Sequence, residues 1–229
     1  MDSPKAETNI FYRDEHLLIA YKPYGLLSES DEHKPNMPAL LREELGCEDI
    51  YTVHRLDRTT QGLMVYALTA EGAKRLSEAV QRGEMEKIYL AVVEGTPDPL
   101  AGELTDLLFF DRKKNKSYVV KRERKGVKQA RLHYETLDTA EHDGKTLSLL
   151  KIRLMTGRTH QIRVQFASRK MPLVSDRRYG STVQSDNILL CSAQLRFTHP
   201  FSGDELHFSY FPDNDVFRNF DIQKLTCSE

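Results

Sequence analysis

The sequence predicts an α+β fold, a mixed, mostly antiparallel central sheet with flanking helices. Apolar segments of strand length and helical segments interleave irregularly, hairpin-like spacings outnumber strand-helix-strand crossovers, and no repeat or linker interrupts the chain. With 229 residues, 39% of them hydrophobic, the chain can bury a substantial core.

The elements follow in order. "EHLLIAYKPYGLL" reads as a short apolar strand that stops at Lys22-Pro23 and turns at Gly25, since proline cannot donate to a central ladder. "MPALLREELG" reads as a helix with Pro38 in its first turn, Leu40, Leu41 and Leu45 on one side, and Gly46 as its stop. "GLMVYALT" is a buried strand, and "AEGAKRLSEAVQRG" a helix whose Ala73, Leu76 and Val80 share a face before Gly83 ends it. "EKIYLAVVEG" returns as a strand. "SYVVKRERKGVKQARLHYETL" predicts a hairpin turning near Gly126, and "KTLSLLKIRLMTG" a further strand. "RTHQIRVQFASRK" predicts a helix with Ile162, Phe166 and Arg169 on one face, and "NILLCSAQLRFTHPFSGDELHFSY" two strands around the turn "HPFSGD".

Other totals narrow the class. No run of 18 apolar residues occurs, and the N-terminal "MDSPKAETNIFYRDEH" has neither a basic start nor an apolar stretch, so no membrane span and no signal peptide are expected, and the expected location is cytoplasmic. Cys47, Cys191 and Cys227 are distant, odd in number and without CxxC pairing, which argues for reduced thiols rather than a disulfide framework or a zinc site.

Net charge is −1, yet charge is segregated. "DRKKNKSYVVKRERKGVKQAR", residues 111–131, holds ten Lys or Arg against two acids, and residues 151–180 hold eight more against Asp176 alone. The first fifty residues carry eleven acids against five bases. Two basic segments in a neutral chain are what a one-sided phosphate-binding face requires, because Lys and Arg gain by releasing counterions from a nucleic-acid backbone; a solvated basic surface has the same composition.

The stretch "YTVHRLDRTTQGLMVYALT" places His54, Arg55, Asp57 and Arg58 within five positions and then runs into an apolar strand. An aspartate before a strand often caps a turn or pairs with an adjacent arginine. A second polar cluster, "TGRTHQIR", lies about a hundred residues later at a predicted strand-to-helix junction, and a guanidinium from it would favour an ionised Asp57 as nucleophile or base. The eight histidines are scattered with no HExxH, and neither a GxSxG elbow nor a GxxxxGK[ST] loop is present. Cofactor-free chemistry by a carboxylate is what the motifs leave, with no metal and no cofactor expected.

"HRLDRTTQGL", "KIYLAVVEG", "TGRTHQIRV" and "LVSDRRYG" occur in the order and spacing of the RluA-type pseudouridine synthases, and the chain resembles that family from about Ile10 to about Phe211. The resemblance implies the pseudouridine synthase catalytic fold, a single catalytic domain over 1–229, and no appended N-terminal RNA-binding domain. It implies isomerisation of specific uridines in ribosomal or transfer RNA. Asp57 corresponds to the family's catalytic aspartate, and Arg55 to a residue that holds open the site vacated by the flipped nucleotide. Tyr89 corresponds to the tyrosine that places its ring against the uracil, and Arg158 to the ion-pair partner of the aspartate. In "LLCSA", Leu190 or Leu189 corresponds to an apolar side chain under the base. RNA affinity is then expected from Lys113, Lys114, Arg122 and Arg124 with Arg163, Arg169, Lys170, Arg177 and Arg178, and a monomer is expected. His54 and His160 are expected to orient or support. The family more often has aspartate and serine at Thr59 and Gln61, glycine at Ser175 and histidine at Cys191, departures that bear on which RNA is accepted. The rival readings are an RNA-binding or folding factor without turnover, and a nucleosidase or glycosidase, whose usual second carboxylate the motif lacks.

Overall fold

The computed structural model describes residues 9–212 and 216–220; Cys227 lies outside them. The strands are β1 (Ile10–Arg13), β2 (Leu17–Lys22), β3 (Tyr51–Thr52), β4 (Gln61–Ala67), β5 (Glu86–Glu94), β6 (Ala101–Asp111), β7 (Lys116–Val120), β8 (Val127–His142), β9 (Lys145–Leu154), β10 (Leu190–Thr198) and β11 (Glu205–Ser209). The helices are α1 (Met37–Leu45), α2 (Ala70–Arg82) and α3 (Gln161–Ala167). The class is α+β, and the pairings β1–β2, β2–β4, β5–β9, β9–β8, β8–β6, β6–β7 and β10–β11 are all antiparallel. Two compact units divide the chain, one up to Lys87 together with Ser192–Tyr210, the other Ile88–Cys191 together with the residues from Phe211.

In the first unit the strand order is β1–β2–β4–β10, with β3 on β4 and β11 on β10. Its core joins Leu17 and Ile19 of β2, Leu63, Val65 and Ala67 of β4, Leu195 and Phe197 of β10, and Leu76 of α2, with Ala73 and Val80 packed against it. That is the α2 face the sequence predicts. Thr69 caps α2 by accepting from the Gly72 N–H at 3.0 Å, and Gly83 ends it in the left-handed conformation. Asn36 caps α1 in the same way through the Ala39 N–H at 2.9 Å. Gly62 is required rather than tolerated: its φ is +120°, and a Cβ there would meet the Ser192 carbonyl oxygen at 2.4 Å. The glycine of "TTQGL" thus lets β4 approach the backbone at Ser192.

In the second unit the order is β5–β9–β8–β6–β7. The hairpin expected across Gly126 does not form. β7 and β8 both pair with β6, one on each side, so residues 121–126 pass over β6 near Phe109, and the tight hairpin is β6–β7, closed by residues 112–115. β6 carries no clear strand signal, because "AGELTDLLFFD" does not alternate apolar with polar residues; only Leu104 and Leu108 of its eleven residues are buried. α3 is also shorter than "RTHQIRVQFASRK" suggests. It leaves Arg169 beyond its end, where the guanidinium pairs with Asp106 at 2.9 Å.

Arg163 does not belong to a phosphate-binding surface. Its side chain is 4% exposed and bonds Asp176, which is wholly buried, through Nε at 2.6 Å and Nη2 at 2.9 Å. A buried guanidinium needs a carboxylate in this fork geometry, and the aspartate of "SDRRYG" supplies it. Removing one partner strands the other charge, so Asp176→Asn or Arg163→Met is expected to cost about 3–5 kcal/mol in denaturant unfolding.

Glu94, at the end of β5, accepts from the Ser181 hydroxyl, from the backbone N–H groups of Val183 and Thr182, and from the Thr182 hydroxyl, at 2.7–3.0 Å. Burial alone would raise its pKa; these bonds to the ionised form outweigh burial and hold it at about 2. A carboxylate depressed on folding adds stability above its unfolded pKa, and that stability is lost as pH falls towards about 2. Thermal unfolding of Glu94→Gln is therefore expected to lie furthest below the parent protein at neutral pH, with the gap closing between about pH 4.5 and pH 2.

Candidate active site

The "HRLD" segment lies in the loop between β3 and β4, where burial alternates. His54 and Leu56 point inward, Arg55 is exposed and Asp57 is partly exposed. Asp57 opens a turn in which its carbonyl accepts the Thr60 N–H at 2.9 Å. His54 Nε2 accepts the Val65 N–H of β4 at 3.1 Å, so the ring proton sits on Nδ1 and the imidazole is neutral; burial keeps its pKa well below the ordinary range. His54 is therefore a strut, as expected from sequence. Arg55 pairs with Glu29 at 2.9 Å, both side chains largely exposed.

A group that sequence reasoning missed lies beside this loop. Lys22 ends β2 with its ammonium fully buried, donating to the Pro23 carbonyl at 3.0 Å and facing the Arg58 carbonyl at 3.5 Å. Burial pushes its pKa down to about 7, while the Asp57 carboxylate acts in the opposite direction. A lysine is almost never fully buried without a partner, so the position of this charge, at the end of an otherwise apolar strand and before a proline, was the available signal.

The other expected site residues lie in the second unit. Tyr89 sits in β5 opposite Ile152 of β9 and is 5% exposed. Arg158 lies at the start of the turn into α3. Its N–H donates to Gln161 Oε1 at 3.0 Å and its Nε to the Gln129 carbonyl at 3.0 Å. Gln161 also takes the Thr156 hydroxyl at 2.8 Å and donates to the Arg131 carbonyl at 3.0 Å, so the glutamine of "GRTHQ" shapes the loop that carries Arg158. His160 Nδ1 lies 3.0 Å from the Tyr179 hydroxyl, which accepts the Ser117 N–H at 2.8 Å. Leu189 is wholly buried, its carbonyl bonded to Val92 N–H at 3.0 Å and its N–H to Val174 O at 3.2 Å. Leu190, the first residue of β10, is also buried, at 3% exposed.

Lys113, Lys114, Arg122 and Arg124 are all exposed. Asp111 Oδ1 accepts the N–H groups of Lys113 and Lys114 at 2.9 and 3.1 Å and so shapes the β6–β7 turn, while Arg124 lies over the Phe109 ring at 4.7 Å. Arg178 donates to the carbonyls of Lys114 and Asn115, and Lys116 Nζ to the Arg178 carbonyl at 2.7 Å. The two basic segments, some sixty residues apart in sequence, therefore meet at this hairpin tip. No group of metal-ligating side chains occurs among the described residues, and no described helix is long and apolar enough to cross a membrane.

Comparison with known proteins identifies the family. Residues 16–168 match the family model described as RNA pseudouridylate synthase. The chain is 33% identical to the dual-specificity RNA pseudouridine synthase RluA of Escherichia coli K12, over 87% of this chain and 90% of that one. It is 31% identical to the tRNA pseudouridine synthase C of Vibrio parahaemolyticus serotype O3:K6, over 87% and 88%. Among solved structures, human RNA pseudouridylate synthase domain containing 1 has the same fold, with a TM-score of 0.78 at 20% identity, covering 93% of this chain and 86% of that one. The chain belongs to the RNA pseudouridylate synthase family, in its RluA type.

Proposed function

We propose that this enzyme isomerises specific uridines of ribosomal or transfer RNA to pseudouridine, with Asp57 as the carboxylate that starts the reaction. The observation that carries this reading is the "HRLD" loop, which buries His54 and Leu56 and leaves Asp57 and Arg55 on its accessible side, in a chain of this family. The names of the two relatives, one acting on tRNA and one of dual specificity, support the substrate class.

The reaction breaks the bond from uracil N1 to ribose C1′ and rejoins C1′ to C5; the proton lost from C5 is balanced by one gained on nitrogen. Nothing is oxidised and no energy donor is consumed. Asp57 starts the sequence by attacking the anomeric carbon, attacking the base, or removing a ribose proton; an ionised carboxylate serves each route. Extruding the uridine costs a few kcal/mol of stacking. In this reading Arg55, released from Glu29, occupies the gap; Tyr89 and Leu190 contact the base, and Arg158 supplies the cation that the family motif places with the aspartate. The hairpin tip and residues 121–125, with Arg177 and Arg178, hold phosphates.

Asp57→Asn and Asp57→Ala are expected to lower tritium release from RNA labelled at uridine C5 to below about 1% of the parent rate while RNA binding persists. Turnover at the parent rate in either variant contradicts the assignment. Replacing Lys113, Lys114, Arg122 and Arg124 together by Gln is expected to weaken RNA binding and reduce the slope of log affinity against log salt by up to about 3. An unchanged slope places the RNA on another surface.

A further inference from the structure

The residues on either side of Asp57 are held by one short segment of chain. Gly25 N–H donates to the Arg58 carbonyl at 2.8 Å, and Arg58 Nε donates back to the Gly25 carbonyl at 2.8 Å. Ser28 does the same on the other flank with a single hydroxyl, donating to the Leu56 carbonyl at 2.9 Å and accepting the Leu56 N–H at 3.3 Å. One residue on, Glu29 meets Arg55. The pairs 25 with 58, 28 with 56 and 29 with 55 run in opposite directions along the two segments, which lie side by side without forming a regular ladder.

This segment is itself fixed. The Ser28 carbonyl accepts from Thr52 Oγ1 of β3 at 3.0 Å and from the Tyr66 hydroxyl of β4 at 3.3 Å. Leu27 pairs with residues at the start of α1, its N–H donating to Pro35 O at 3.1 Å and its carbonyl accepting Met37 N–H at 2.9 Å. Ser28 is buried, so its hydroxyl is the polar partner of the two buried peptide groups that flank the Leu56 Cα.

We propose that residues 25–29 are a template that sets the position of Asp57, and that Ser28 is a positioning residue for the isomerisation. The proposal rests on reading Asp57 as the catalytic carboxylate. In Ser28→Ala the Leu56 N–H and carbonyl lose their shared partner, and the peptide that leads into Asp57 is free to shift. Displacements of about 1 Å at a reacting group cost up to about 100-fold in rate.

The test separates positioning from stability. Ser28→Ala, Asp57→Asn and Val80→Ala, a truncation of a partly buried α2 side chain remote in sequence from the loop, are assayed below the unfolding transition of all three. Total RNA from cells lacking the gene, tritiated at uridine C5, is treated with excess enzyme, and the maximal release rate and the enzyme concentration at half-maximal rate are read separately. Ser28→Ala is expected to lower the maximal rate about 10-fold or more with the half-maximal concentration changed by less than about twofold, while Val80→Ala leaves both as in the parent. A smaller loss of maximal rate, a loss carried by the half-maximal concentration, or an equal loss in Val80→Ala overturns the template. If Asp57→Asn is inactive and Ser28→Ala is normal, only the template falls; if Asp57→Asn turns over like the parent, the reading of Asp57 itself has failed.

Discussion

A carboxylate in a loop is placed no better than the peptide that carries it, and the peptide of Asp57 is anchored at both neighbours. Leu56 is bonded through Ser28 and Arg58 through Gly25, while His54 is pinned to β4 through Val65. These contacts explain why "HRLD" mixes residue types that an ordinary strand or surface loop would separate. Its histidine and leucine serve the interior, and its arginine and aspartate face outward. The glycine five residues after the aspartate completes the arrangement by letting β4 run close against the Ser192 backbone as soon as the loop ends.

Electrostatics divide along the same line between interior and surface. Three cations that sequence composition counts alike have different fates. Lys22 is buried beside the Asp57 loop, Arg163 is neutralised inside by Asp176, and Arg178 stays exposed and fastens the β6–β7 tip. The basic face is therefore smaller than the charge count suggests but more ordered, because backbone carbonyls of the tip are bonded by Arg178 and its turn is shaped by Asp111. A fixed backbone loses less freedom on meeting a phosphate than a mobile one does, so in the proposed reading this tip serves to position an RNA as well as attract it.

Much of this was legible in the sequence. Period-3.6 patterning with Thr69 and Gly83 as caps located α2, and apolar runs located β2, β4, β5, β9 and β10. β6 escaped because its apolar and polar residues do not alternate, and with it the true pairing of β7 and β8. At the candidate site, Asp57 and Arg55 stood out because local charge density needs no tertiary knowledge. Ser28, Gln161 and Lys22 did not. A buried serine or glutamine acts through a partner peptide that only the fold identifies, 28 residues away for Ser28 and 30 for the Gln161 bond to Arg131. Arg163 failed for the mirror-image reason, since its partner Asp176 was counted as an isolated acid among surface bases.

The account stands on Asp57 acting on uridine within RNA. Its most direct test is a map of pseudouridine in the ribosomal and transfer RNA of cells carrying the native gene, a deletion, or the Asp57→Asn allele at native expression. One or more modified positions should vanish in the deletion, return with the native gene and stay absent with Asp57→Asn. Full restoration by Asp57→Asn, or an identical map in the deletion, would contradict it.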